Sequence, residues 1–318
     1  MSDSTISVCI PVYNEAENVA LAVTTVEEIF HSKLPQYGLE LIITDNASTD
    51  RTWELVTELS ATRPHLKAFR FSRNCGYQNS VFAGLSLATG DAVVAVDADL
   101  EDPPIVIVQF VEKWKEGFDV VYGVRQKRYG PIYLRFLFSL FYKLLTAIAS
   151  VGIPENTGDF RLLDRKVVNV LKALPERNLY LRGLVWYLGF RQAPIPYDRQ
   201  ARAAGTSKFR LKHYAAFAID GITAFSKAPL RLIGVLGVCL FILSAILGSY
   251  YFIGGLLRGT RLPGFTTIVV LLLFLHGLTF IFIGIIGEYL SRVFDDAKFR
   301  PRVIISDAVN APEFPTYF

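Results

Sequence analysis

Over its first 125 residues the chain alternates short apolar runs with longer mixed ones. The runs Ile6–Ile10, Leu39–Ile43, Leu66–Phe71, Ala92–Val96 and Val120–Tyr122 are rich in β-branched and aromatic residues and predict strands. The segments between them, near Ala16–Phe30, Thr52–Thr62, Gln78–Ala88 and Ile105–Lys115, read as helices. Strand, helix, strand at this spacing predicts right-handed βαβ units and an α/β domain with a mostly parallel sheet. Ligands of such sheets sit outside the carboxyl ends of the strands. Polar clusters fall at those ends: Tyr13–Glu15, Asp45–Asp50, Arg73–Gly76 and Asp97–Asp102. Four loops converging on one edge weigh more than any single motif.

The pattern changes in the second half. Residues 131–151 are apolar and aromatic but carry Arg135 and Lys143. Two charges near mid-span are costly in a bilayer, so this stretch predicts an amphipathic helix on a membrane surface, with a buried helix of the soluble domain as the alternative. A similar helix is expected through 209–225. Leu232–Tyr251 then runs 20 residues without a charge, and Thr266–Gly287 runs 22 with only His276 as a proton carrier. Each length suits a ~30 Å hydrocarbon core. The division expected is a domain over 1–228, two spans (about 232–251 and 266–287) within 229–291, and a tail over 292–318. Lys227, Arg231, Arg292, Lys298, Arg300 and Arg302 flank the spans, against Arg258 and Arg261 between them, which favours a cytoplasmic domain on an inner membrane.

Composition agrees with that division. The hydrophobic fraction is 52%, and the surplus is concentrated in Leu230–Leu290. A net charge of +4 without a dense basic tract gives no sign of nucleic-acid binding. Cys9, Cys75 and Cys239 have no metal-ligand spacing, which fits a reducing compartment. The opening MSDSTISVCIPVYNE has no basic region leading into an apolar one, so no cleavable signal is expected. No G-x-G-x-x-G follows the first strand, which disfavours a dinucleotide-dependent dehydrogenase.

The chemistry centres on Asp97-Ala98-Asp99 at the end of an apolar strand, followed by Leu100-Glu101-Asp102-Pro103-Pro104. Two carboxylates one residue apart can hold Mg²⁺ or Mn²⁺ against a diphosphate, with phosphate and water completing the shell. Such a cation neutralises charge on a departing diphosphate. The bland alternative is a solvated turn capping the helix at Pro104. Position at the shared sheet edge favours the metal.

Together, Pro11-Val12-Tyr13-Asn14-Glu15, Thr44-Asp45-Asn46-Ala47-Ser48-Thr49-Asp50 and Asp97-Ala98-Asp99-Leu100 resemble the signature set of GT-A-fold, family 2 inverting glycosyltransferases. Glu101-Asp102-Pro103-Pro104, Arg125, Gly158-Asp159-Phe160-Arg161 and Arg202-Ala203-Ala204-Gly205-Thr206-Ser207-Lys208 narrow the likeness to the polyisoprenyl-phosphate glycosyltransferases, which include dolichol-phosphate mannose synthase and the bactoprenol glucosyltransferases. The likeness covers nearly the whole chain. It implies an enzyme moving a sugar from a UDP-sugar to a polyisoprenyl (undecaprenyl) phosphate at the bilayer. Glucose is the sugar expected; mannose or a modified aminopentose is the alternative.

The same resemblance implies residue roles. Pro11, Tyr13, Glu15, Asp45, Arg73 and Asp97 would form the nucleotide site, with Asp45 accepting a hydrogen bond from the base; an imide N–H suits uracil. Asp97, Asp99 and Glu101 would hold the metal. Arg125, Arg202, Ser207 and Lys208 would meet diphosphate or lipid phosphate, although a basic loop is also drawn to anionic headgroups at ~1 kcal/mol per charge. Asp159 would position a sugar or act as base, against a plain salt bridge to Arg161. A phosphate nucleophile, with a second pKa of about 6, needs no strong base. Asn46, Ala47 and Glu101 depart from the common Asp, Gly and Gln. A processive polysaccharide synthase is disfavoured, since no Gln-x-x-Arg-Trp motif is present. A non-catalytic nucleotide-sugar-binding membrane protein is the reading from another class. Gly234, Gly237 and Gly248 leave a homo-oligomer contact open.

Overall fold

The computed structural model describes residues 4–126, 157–176, 179–200, 228–258, 264–311 and 313–318. Its strands are β1 (Thr5–Val12), β2 (Gly38–Asp45), β3 (Leu66–Phe71), β4 (Ala92–Ala95), β5 (Val120–Arg125), β6 (Thr157–Asp164), β7 (Gln192–Tyr197) and β8 (Ile305–Val309). They form one sheet in the order β7-β5-β6-β4-β1-β2-β3-β8. The helices around it are α1 (Val19–Lys33), α2 (Thr52–Ala61), α3 (Tyr77–Leu87), α4 (Val106–Lys115), α5 (Arg165–Ala173) and α6 (Leu181–Tyr187). All five expected strands and all four expected helices are present, with ends shifted by a few residues.

Both faces of the sheet are covered, so its central strands are apolar throughout rather than alternating. Ile6, Val8 and Ile10 of β1 pack with Val23 and Val26 of α1 and Phe110 of α4 on one face. Cys9 and Ile42 pack with Val81 and Phe82 of α3 and Leu184 of α6 on the other.

Strand direction decides what reaches the functional edge. The pairs β1/β2, β1/β4, β2/β3 and β5/β7 are parallel, while β6 runs antiparallel to β4 and β5, and β8 to β3. The carboxyl ends of β1–β5 and β7 therefore share an edge with the amino ends of β6 and β8. That reversal carries Asp159, third residue of β6, to the edge where the loops after β1–β5 converge.

Two long helices follow, α7 (Ala228–Arg258) and α8 (Phe265–Ala297), which contain the expected spans and extend past them. Among the described residues one stretch, Phe274–Ala297, is long and apolar enough to cross a membrane. Its large side chains, Phe274, Phe280 and Leu290 among them, face outward. The expected surface helices at 131–151 and 209–225 lie outside the described residues.

The segment 292–318 is not the expected tail. After α8 it returns as β8, so the strands flanking the long helices in sequence, β7 and β8, belong to one sheet. The Arg302 guanidinium lies 4.7 Å over the Phe82 ring and donates to the Leu174 carbonyl at 3.0 Å. Phe314 meets Phe69 edge-on at 6.0 Å. A five-residue edge strand gives little periodic signal, which is why the sequence pattern did not reveal it.

Asn310 closes β8 in the left-handed region (φ 56°), and its side-chain amide donates to the carbonyls of Ser60 at 2.8 Å, Arg63 at 3.1 Å and Leu66 at 2.9 Å. Asn310→Ala loses these bonds and places an alanine at positive φ. The expected cost is about 1–2 kcal/mol, read as a lower urea midpoint with unchanged slope.

Candidate active site

The acidic loop begins where β4 ends. The Val96 amide still bonds to the Cys9 carbonyl at 2.9 Å, after which the chain leaves the sheet through Asp97 and Asp99. Leu100 is forced to φ 55°, a conformation that costs a non-glycine residue about 1–2 kcal/mol, and its side chain packs on the core. The Tyr77 hydroxyl, from the first turn of α3, donates to Asp97 Oδ1 at 2.7 Å. Burial pushes the Asp97 carboxyl up to about 7; the Tyr77 bond opposes this, and the carboxylates of Asp102, Asp99 and Asp159 add to it.

The next two acids are already neutralised. Glu101, expected as a third metal ligand, pairs with the guanidinium of Arg199, just past β7. Asp102 is 2% exposed and accepts from the Tyr197 hydroxyl at 2.7 Å, Arg125 Nη2 at 2.9 Å and Arg199 Nε at 3.3 Å. Arg125 also donates to the Tyr197 hydroxyl at 3.2 Å, and a Cβ at Gly158 would come within 2.8 Å of its guanidinium. Arg125 is therefore the counter-ion of Asp102, which pushes its pKa up. This pairing sets where its guanidinium, expected to meet phosphate, stands at the edge. The Asp102 junction ties the acidic loop to the ends of β5 and β7.

The first two loops are laced together. Asn14, at φ 54°, donates its amide to Ser48 Oγ at 2.9 Å and accepts from the Thr49 amide at 2.8 Å. Pro11 is buried at the end of β1, Tyr13 is exposed, and Glu15 accepts from Asn18 Nδ2 at 2.7 Å. Asp45 is fully buried; its Oδ1 accepts from the Ser48 amide at 3.1 Å. Its Oδ2 has no hydrogen-bond donor among the described residues, with Arg70 Nε 3.4 Å away. Burial raises the Asp45 pKa against the pull of Ser48 and Arg70. Asp50 Oδ1 accepts from the Thr52 amide at 3.0 Å at the start of α2.

Asn46 explains one departure from the common pattern. Its Nδ2 donates to Asn74 Oδ1 at 3.1 Å and its Oδ1 accepts from the Cys75 amide at 2.8 Å. An ionised aspartate has no donor for the first of these bonds. Asn46 thus fixes the loop that carries exposed Arg73.

Asp159 is 6% exposed and faces α3 and α6. Arg182 grips it with two bonds, Nε to Oδ1 at 3.0 Å and Nη2 to Oδ2 at 2.9 Å, and Gln78 Nε2 donates to Oδ2 at 3.0 Å. Arg161, the partner suggested by sequence, stands at 4.0 Å. Burial alone raises the Asp159 pKa, but Arg182, Arg161 and Gln78 outweigh it and leave the carboxyl below its usual range. Tyr77, Gln78, Arg182, Tyr197 and Arg199 were not picked out in the sequence. Tyr77 and Gln78 follow Gly76 at the shared edge and were findable there; Arg182 has no local signal. Arg202, Ser207 and Lys208 lie outside the described residues.

The donor set fits a divalent cation that completes its shell with phosphate. Among the described residues no group of three His, Cys, Asp or Glu side chains converges, so Asp97 and Asp99, one residue apart past the end of β4, would supply two oxygen donors and leave the rest of the shell to phosphate and water.

A family model described as glycosyl transferase family 2 matches residues 7–171. The protein named "Uncharacterized glycosyltransferase YkcC" of Bacillus subtilis (strain 168) is 39% identical over 303 residues, covering 94% of this chain and 92% of the relative. "Bactoprenol glucosyl transferase" of Shigella phage SfV is 38% identical over 303 residues, covering 95% and 98%. Among solved structures, glucosyl-3-phosphoglycerate synthase from Mycobacterium tuberculosis in complex with Mn²⁺, UDP-glucose and phosphoglyceric acid matches at 19% identity and a TM-score of 0.46, covering 69% of this chain and 78% of that one.

Ala47 sits at φ 59°, where a glycine is unstrained. Ala47→Gly relieves about 1–2 kcal/mol of strain and loses about 0.5–1 kcal/mol through the freer unfolded chain. A net gain of about 0.5 kcal/mol is expected in denaturant unfolding.

Proposed function

We propose that this chain, which belongs to glycosyl transferase family 2, transfers glucose from UDP-glucose to a polyisoprenyl phosphate, inverting the anomeric carbon. The observation that carries this reading is the Asp97/Asp99 pair at the carboxyl edge of the sheet, in a chain that aligns nearly end to end with a bactoprenol glucosyl transferase.

Pro11, Tyr13, Glu15, Asp45 and Arg73 take the nucleotide, with Asp45 Oδ2, which accepts no hydrogen bond among the described residues and lies 3.4 Å from Arg70 Nε, accepting the imide N–H of uracil. Asp97 and Asp99 would hold Mg²⁺ or Mn²⁺, which supplies Lewis-acid stabilisation of the departing diphosphate. Arg202, Ser207 and Lys208 bind the lipid phosphate by charge-assisted hydrogen bonds. One oxygen of that phosphate forms a bond to the anomeric carbon as the bond to the diphosphate oxygen breaks on the opposite face. The phosphate is largely anionic at neutral pH. Asp159, held ionised by Arg182, is a weak base and serves to position the sugar.

Topology supports a membrane setting. β7 and β8 flank α7 and α8 in sequence and share one sheet, so any crossings between them must be even in number. Two spans forming a hairpin satisfy this. Both connections meet the sheet at the carboxyl edge: the chain leaves past Tyr197 of β7, and it returns into β8, where the Ser72 amide bonds to the Ile304 carbonyl at 2.9 Å. This arrangement supports a site turned toward the bilayer, where a lipid phosphate resides. The basic flanks of the spans support a domain on the cytoplasmic side of the inner membrane.

Purified full-length protein given UDP-glucose, undecaprenyl phosphate and Mg²⁺ or Mn²⁺ is expected to form a glycolipid. Asp97→Ala and Asp99→Ala should each lower turnover by about 100-fold or more, equal to about 2.7 kcal/mol of transition-state stabilisation. Full turnover in excess chelator would overturn the metal-assisted reading.

The raised carboxyl of Asp97 adds a pH signature. A proton held there near pH 7 must leave before a cation binds. Mn²⁺ affinity, measured calorimetrically, is expected to weaken about tenfold per unit below pH 7 and to level off above about pH 8.

A further inference from the structure

Resting on the donor reading above, we propose that Arg182 and Gln78 are positioning residues that fix Asp159 as the hydrogen-bond acceptor for hydroxyls of the donor sugar. The first turn of α3 spans two acids of the site. Tyr77 bonds to Asp97, and the next residue, Gln78, bonds to Asp159. Gln78 has a second attachment: its Oε1 accepts from the Leu181 amide at 3.1 Å, at the start of the helix that carries Arg182. One glutamine thus aligns the carboxylate and also the element bearing its guanidinium partner.

The geometry is specific to its side chains. Arg182 holds both carboxylate oxygens in a fork, a geometry that a lysine ammonium cannot reproduce. These three bonds leave further lone-pair directions on the two oxygens of Asp159. Arg161 lies 7% exposed on the same face of β6, with its Nε lacking a hydrogen-bond partner among the described residues. Two guanidiniums around one carboxylate keep this pocket ionised and ordered. An ionised carboxylate offers only acceptors, and sugar hydroxyls are donors. Tyr77, from the same turn, links this pocket to the carboxylate pair that would meet the diphosphate. The sugar of a nucleotide-sugar lies one bond beyond that diphosphate.

The test titrates full-length protein, loaded with Mn²⁺, with UDP and with UDP-glucose. The wild type is expected to bind UDP-glucose more tightly than UDP. Arg182→Lys is expected to lose that preference by at least about fivefold, and Gln78→Ala by about threefold, while UDP affinity stays within twofold. In glucosyl transfer, kcat of Arg182→Lys should fall about tenfold or more with KM for the lipid phosphate unchanged. Overturning results are a preference retained within twofold in both variants, a wild type without any preference, or an Arg182→Lys protein that loses UDP binding as well. A wild type that prefers UDP-glucose yet makes no glycolipid would overturn the acceptor reading alone and leave this inference standing.

Discussion

Bringing Asp97, Asp99, Glu101, Asp102 and Asp159 to one edge of one sheet is electrostatically expensive, and much of the site consists of what makes it tolerable. A buried carboxylate is stable only when paired and hydrogen-bonded. Arg199 and Arg125 satisfy Glu101 and Asp102, and Arg182 satisfies Asp159. Asp97 accepts from the Tyr77 hydroxyl, and Asp99 accepts from the Glu101 amide at 3.2 Å. The arginines therefore bind three of these acids into the framework of the edge. They also tie distant segments together, since each comes from a different part of the chain.

The same edge carries the traffic to the long helices. The chain departs from β7 beside Arg199 and re-enters at β8 beside the Arg73 loop. A soluble α/β domain would leave that edge open to water. Here both connections to the long helices run from that edge, so strand order decides where in the domain they attach. Arg302 reinforces this: it stacks on Phe82 of α3, the helix whose first turn contacts both Asp97 and Asp159.

Much of this was legible from sequence. β1–β4 are apolar runs with sharp polar boundaries, and such strands announce both themselves and the edge at which they end. The Asp-x-Asp pair stood out because it follows a strand at the edge where the other polar loops end. Less legible were β6 and β8, which run backwards and belong to no βαβ repeat. The pairing of acids to bases was also hidden. Asp159 lies two residues from Arg161 yet is held by Arg182, because alternation and a helix start place the second guanidinium nearer. Glu101 likewise sits two residues from Asp99 but turns toward Arg199. Local spacing suggests partners; tertiary packing chooses among them.

The position of β8 bears on how the protein is made. The outer rim of β3 stays uncovered until residues 305–309 have been made, which is after both long helices have been synthesised. An uncovered strand rim invites pairing with other chains. Biogenesis of the catalytic body is thus tied to the fate of the helices: a nascent chain stalled or clipped before β8 exposes a sticky, incomplete sheet that quality-control proteases can recognise.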